Sequence, residues 1–220
     1  HEEMKVIVDI ALKCNLFIIG DEAYREFIYE QESTLSSFAE FENAKENVIV
    51  VDTISKRFSA CGARIGCIVS RNKQLMAHAL KQCQARLSVA TIEQLAAQKL
   101  YETNSDYFSS IRDEYRNRRD TIIECLNKIP GVRCQIPNGA FYVMPTLPVD
   151  DTDKFQEWLL TKFDDNGDTV MFAPGEPFFA TKGLGKNTIR IAYVNNCEYL
   201  KRAIEILGKG INEYNQQYSR

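Results

Sequence analysis

Met4, Ile7, Val8 and Leu12 recur at helical spacing, so residues 2–14 are expected to form an amphipathic helix. An unbroken apolar run, Leu16–Gly20, follows, and similar runs recur at Asn47–Asp52 and Ile65–Ser70. Runs without alternation read as strands of a sheet covered on both faces, the α/β arrangement. Helical patterns follow at about 72–87 and 91–102, and a longer one at about 105–129. Ser105 can cap that long helix, Ile111, Tyr115, Ile122, Leu126 and Ile129 make its stripe, and Pro130-Gly131 stops it. Arg112, Arg116, Arg118 and Arg119 alternate on it with Asp113, Glu114 and Asp120, which reads as a solvated face.

After Gly131 the strands shorten: Val132–Ile136, Ala140–Met144, Thr169–Ala173 and Thr188–Val194, with helices at about 152–163 and 197–216. Two strands, a helix, two strands and a helix suggest a small α+β domain. The expected division is 1–115 and 116–220, joined through the long helix. Neither repeats nor low-complexity stretches interrupt the pattern.

The 220 residues correspond to between one and two domains. A net charge of −3 with both signs interspersed leaves no basic excess to neutralise phosphates, so nucleic acid and membrane surfaces are not expected partners. The longest clean apolar runs, Leu16–Ile19 and Val48–Val51, fall far short of the roughly 18 residues of a membrane helix. The seven cysteines include no CxxC pair, and only His1 and His78 could assist them, so no metal site is expected. They read as small buried hydrophobes in a reducing compartment, taken as the cytoplasm. The chain opens inside a helix and without Met, as the second part of a longer protein would, although a tag remnant at His1 would look the same.

Two segments carry chemistry. Asp21-Glu22-Ala23-Tyr24 directly follows the first apolar run, and acid groups at the C-terminal edge of a strand lie where α/β sheets bind ligands. A helix N-cap is the competing reading of Asp21. Thr53–Gly66 also follows a buried strand and gathers hydroxyls, a lysine and an arginine among small residues. Such a set suits a phosphorylated carbonyl compound: Lys56 could form a Schiff base, while Thr53, Ser55 and Arg64 hold the phosphate. Taken alone, it could equally be a basic surface loop.

The combination is more specific. Asp21 and Tyr24 after one strand, Ser55-Lys56 after another, Phe58-Ser59, Gly62, Arg64 and Gly66 together resemble the class I aminotransferases, fold type I enzymes dependent on pyridoxal phosphate. Asn138–Tyr142, Ala173-Pro174-Gly175 and Arg190–Tyr193 match the later part of that family in order. The likeness is strongest to the bacterial aspartate-aminotransferase-like branch. It implies an α/β fold: the C-terminal portion of a fold type I large domain (three-layer α/β/α) plus a small C-terminal α+β domain. It implies that Lys56 holds the cofactor and moves the substrate proton, that Asp21 faces the pyridine nitrogen and that Tyr24 bonds the ring oxygen. Arg64 takes the phosphate, with Thr53 and Ser55 beside it. Arg190, on a strand whose neighbours Ile189, Ile191 and Tyr193 read as buried, takes the substrate α-carboxylate. The implied partners are amino-acid and 2-oxo-acid substrates, aspartate first, and a second copy of the whole protein in a homodimer.

Members of the family are about twice this length. Their asparagine for the ring oxygen, glycine-rich phosphate turn and stacking aromatic have no counterpart in these residues, so the chain alone is expected to bind cofactor weakly and turn over little. Two other activities share much of the pattern: carbon–sulfur lyase chemistry on the same cofactor, and a non-catalytic effector-sensing module.

Overall fold

The computed structural model describes residues 1–29 and 36–218, in two compact units, His1–Ser110 and Ile111–Arg220. In the first, α1 (Glu2–Cys14) lays Val8 and Ala11 against β1 (Ile18–Asp21) and β2 (Val48–Thr53), where Ile18, Val48, Val50 and Ala44 complete a small core. Asn15 ends α1 in the left-handed region, its amide turned back onto the Ala11 and Leu12 carbonyls. β1 and β2 are parallel. The chain then passes through one helical turn, α2 (Ile54–Arg57), and a 3-10 turn, Cys61–Ala63, and returns as β3 (Gly66–Val69), antiparallel to β2. The strand order is β1-β2-β3.

α3 (Lys73–Ala85) begins at Asn72, whose side chain accepts from the Leu75 amide, and α4 (Thr91–Leu100) follows. Ala97 and Leu100 of α4, with Tyr107 and Phe108 of α5 (Ser105–Leu126), pack on Ile54 and Phe58. This second core lies beneath α2 and holds it against the strand end. The division between the units falls within α5.

One face of the sheet packs against α1, and the other carries a groove. Opposite α1, Ile19 is 69% and Ile68 44% exposed, and they line an open groove with Phe17, Ile49 and Val51. Leu75 and His78 of α3 line the same groove.

The second unit is built on a sheet of order β4-β6-β5, comprising β4 (Tyr142–Val143), β5 (Ala173–Pro174) and β6 (Ile189–Ala192), with all pairings antiparallel. Its core unites Ile122 and Leu126 of α5, Phe155 and Leu159 of α6 (Thr152–Thr161), and Ile204, Leu207 and Ile211 of α7 (Cys197–Tyr218). The expected strand Val132–Ile136 reduces to one bridge, Arg133 to Thr146, and Thr169–Ala173 contributes only its last residue. Prolines limit the ladders: Pro137, Pro145 and Pro174 supply no backbone N–H.

Two further expectations change. Among the seven cysteines none is buried; Cys14, Cys61, Cys67 and Cys83 are exposed, because they fall at a helix end, in a turn, on the open strand β3 and on the outer face of α3. The arginines of α5 are more than a solvated face. Arg118 and Arg119 are 17% and 13% exposed, and besides pairing with Glu114 and Asp120 they donate to the Val194 and Pro137 carbonyls. They anchor two loops whose backbone oxygens would otherwise lack partners.

Candidate active site

Asp21 closes β1 opposite Val51, and the next amide, Glu22, still donates to the Val51 carbonyl at 2.9 Å. Past that point the chain turns. Asp21 Oδ1 accepts from the Ala23 amide at 3.0 Å, so one carboxylate oxygen starts the turn that carries Tyr24 while the side chain remains exposed. The Tyr24 ring sits edge-on to Phe27, a buried anchor.

β2 ends at Thr53, whose backbone is extended and whose hydroxyl caps α2 by accepting from the Ser55 amide at 3.1 Å. The Thr53 hydroxyl donates to the Ile65 carbonyl at 2.7 Å and lies 2.8 Å from Ser55 Oγ. It thereby ties the start of the loop to its end. Ser55 is buried, and Lys56 follows with Nζ over the Tyr24 ring, 6.0 Å from its centroid. At the far end Arg64 takes a left-handed backbone, φ 55°, and donates to the Cys61 carbonyl at 2.9 Å; its side chain is otherwise exposed.

Parallel pairing of β1 with β2 and antiparallel pairing of β2 with β3 bring Asp21, Tyr24, Thr53, Ser55, Lys56 and Arg64 to one edge of one sheet. An amine beside a phenol, a carboxylate at the neighbouring strand end, hydroxyls and a guanidinium form a donor set for a dianionic carbonyl compound. Three residues here were not singled out from sequence: Arg57, which contacts Asp52 at 2.6 Å and Glu26 at 3.4 Å. Nothing in their spacing marks them, because each stands in a different segment.

Arg190 lies in the second unit, on β6, opposite Ala173. It is half-buried, and its guanidinium carbon lies 4.7 Å from the Tyr142 ring centre and 4.4 Å from that of Phe178. Among the described residues no carboxylate pairs with it. Tyr142 stands across from Ala192 in the ladder, and Phe178 ends the 3-10 turn Glu176–Phe178. Gly175 admits that turn: its amide donates to the Thr188 carbonyl at 2.8 Å, and a Cβ there would lie 2.5 Å from the same oxygen. An arginine beside two rings, with no carboxylate partner among the described residues, has the chemistry to take an external anion.

Comparison with known proteins identifies the family. The family model for aminotransferase class I and II matches residues 1–207. The chain is 30% identical to an aspartate aminotransferase of Pyrococcus horikoshii, across 96% of this chain and 52% of that protein. It is 29% identical to a probable aspartate/prephenate aminotransferase of Aquifex aeolicus, across 97% and 53%. Among solved structures, the aromatic aminotransferase of Pyrococcus horikoshii superimposes with a TM-score of 0.84 at 27% identity, covering 97% of this chain and 56% of that one. The α-aminoadipate aminotransferase LysN of Thermus thermophilus, complexed with N-(5′-phosphopyridoxyl)-L-leucine, gives 0.81 at 26%, covering 95% and 53%. The chain thus spans about half the length of the relatives it matches. With its match running from the first helix well into the last, the chain belongs to the class I and II aminotransferase family.

Proposed function

We propose that this chain is part of a pyridoxal-phosphate-dependent enzyme that moves an amino group from an amino acid to a 2-oxo acid, with aspartate the first choice of donor. The observation that carries the reading is the Lys56 amine over the Tyr24 ring, at the edge where Asp21 ends β1. The names of the relatives supply the reaction class.

The donor set fits the cofactor group by group. Lys56 supplies the amine that joins the carbonyl carbon. Asp21, as an anion, favours a proton on the ring nitrogen. Tyr24 donates to the ring oxygen. Arg64 offers a planar fork to the phosphate, with the Ser55 hydroxyl beside it, while the Thr53 hydroxyl holds the loop through Ile65. When bound, the cofactor supplies a conjugated ring that takes up the electron pair left by the α-proton. With the cofactor in place, the Lys56 amine would be the group that takes up the substrate α-proton and gives it back. Arg190 binds the α-carboxylate bidentately, which orients the Cα–H bond without regard to the side chain. The transfer then proceeds in two half-reactions, the first product leaving before the 2-oxo acid binds.

The same reading makes the whole protein a homodimer of the cytoplasm. Among the described residues no helix is long and apolar enough to cross a membrane.

Borohydride reduction of the whole protein loaded with pyridoxal phosphate tests the assignment. The cofactor is expected on the peptide containing Lys56; finding it on Lys73 or Lys81 overturns the reading. Incubation with aspartate and a 2-oxo acid is expected to yield a new amino acid, whereas release of ammonia and pyruvate from a β-substituted amino acid would indicate lyase chemistry.

A further inference from the structure

Arg57 neighbours Lys56 on α2, yet its side chain is only 12% exposed. It reaches two other segments. One terminal nitrogen donates to Asp52 Oδ2 at 2.6 Å, just before the end of β2. Its Nε lies 3.4 Å from Glu26 Oε1, in the turn after β1 and two residues beyond Tyr24. The other oxygen of Asp52 accepts the Thr53 amide at 2.7 Å. One guanidinium therefore joins the turn bearing Lys56, the strand end bearing Thr53 and the turn bearing Tyr24. Cys67, the partner of Asp52 on β3, also adjoins this pair, and burial together with the Asp52 charge pushes its thiol up.

Covering the Arg57–Asp52 pair beside a strand end is costly unless its geometry is well satisfied, so a merely structural tie would be served as well by apolar packing. The tie is also uneven. Toward Asp52 it is a short hydrogen bond, whereas toward Glu26 it is an ion pair in which Nε makes no hydrogen bond of good geometry. We propose that Arg57 is a positioning residue: held by Asp52, it fixes the Glu26 turn and through it sets Tyr24 against Lys56. This rests on the reading of Lys56 and Tyr24 as cofactor-binding residues. Arg57 itself touches neither substrate nor cofactor.

The test uses the whole protein loaded with pyridoxal phosphate and begins with borohydride labelling of the wild type at Lys56. Absence of that label would overturn the cofactor reading itself, before any variant is compared. With the label in place, the pH midpoint of the cofactor's visible absorbance is followed, together with melting temperature. Tyr24 lowers that midpoint by donating to the ring oxygen, so Tyr24→Phe is expected to raise it by about one unit, the size of one lost hydrogen bond. Arg57→Met is expected to raise it nearly as far, Glu26→Gln, which removes the charge through which Arg57 holds the Tyr24 turn, by a comparable amount, and Asp52→Asn less. Arg57→Lys, which keeps the charge and loses the fork, is expected to recover part of the shift. In the Tyr24→Phe background Arg57→Met should add nothing, because its effect passes through Tyr24. A lowered melting temperature with an unmoved midpoint, or an equal shift with and without Tyr24, would overturn the proposal. If Arg57→Met does not fold, Glu26→Gln decides by the same two criteria.

Discussion

Thr53 on β2 and Gly66 on β3 are direct partners in the antiparallel ladder, and Lys56, Arg57 and Arg64 all lie on the chain between them. The excursion leaves and re-enters the sheet at one place. Its two ends are joined a second time by the Thr53 hydroxyl on the Ile65 carbonyl. Backbone pairing at its base thus holds this excursion to one edge of the sheet.

Gly66 is where that closure is most sensitive. A Cβ there would lie 3.0 Å from the Asp52 carbonyl oxygen, whereas one at Gly62, within the same loop, would meet nothing within 4 Å. Gly66→Ala is expected to destabilise the chain by about 1–2 kcal/mol through forced displacement of β2 from β3, and Gly62→Ala to be nearly neutral. Urea denaturation of the two variants side by side checks this. Equal midpoints would show that the ladder is not under steric constraint at Gly66.

Thiol reactivity separates the cysteines. Cys14, Cys61 and Cys83 are exposed, while burial pushes the Cys134 thiol up to about 11. Since the thiolate is the nucleophile, at about pH 8 the first three are expected to react with a disulfide reagent well before Cys134. Peptide mapping after a short pulse gives the order. Early labelling of Cys134 would mean that its cover opens readily.

Tyr214 gives the second unit an alkaline signature. Its hydroxyl donates to Asp150 Oδ1 at 2.9 Å, and burial, that hydrogen bond and the Asp150 charge push its pKa up to about 12. The folded protein then keeps a proton that the unfolded chain loses near pH 10. The stabilisation is full below pH 10 and disappears as pH rises toward 12. The melting-temperature difference between wild type and Tyr214→Phe should be constant up to about pH 10 and shrink above it. A difference that stays flat to pH 12 would contradict the assigned cause.

The readable parts of this chain were those whose cause is local. α1 spans Glu2–Cys14 as its apolar spacing indicates, and each buried run before a chemical segment became a strand ending at that segment. What periodicity did not convey depends on partners distant in the chain. Ile19 and Ile68 look like core residues in sequence but face an open groove. Arg118 and Arg119 look like surface charges but are covered because the Val194 and Pro137 carbonyls come to them. Arg57 stands beside Lys56, and its contacts were hidden because Glu26 comes from the turn after β1 and Asp52 from the end of β2. The rings beside Arg190 come from Tyr142 and Phe178, both earlier in the chain and on different segments.

Those rings lead to the prediction about Arg190. The Arg190 guanidinium carbon lies within 5 Å of both ring centres, and such contacts restrict the guanidinium before an anion arrives. Arg190→Lys keeps the charge and loses both the fork and the stacking. In the whole protein it is expected to cost about 2–4 kcal/mol in kcat/KM, because a charge-assisted pair becomes a single-point contact. Phe178→Ala leaves the arginine in place but removes one wall, and a smaller loss of about 0.5–2 kcal/mol is expected. Because every amino acid carries the α-carboxylate, both losses should be alike for aspartate, glutamate and an apolar amino acid. The cofactor absorbance should be unchanged in both variants. A loss confined to dicarboxylic substrates would assign Arg190 to the side chain, and loss of the cofactor absorbance would assign it to the cofactor instead.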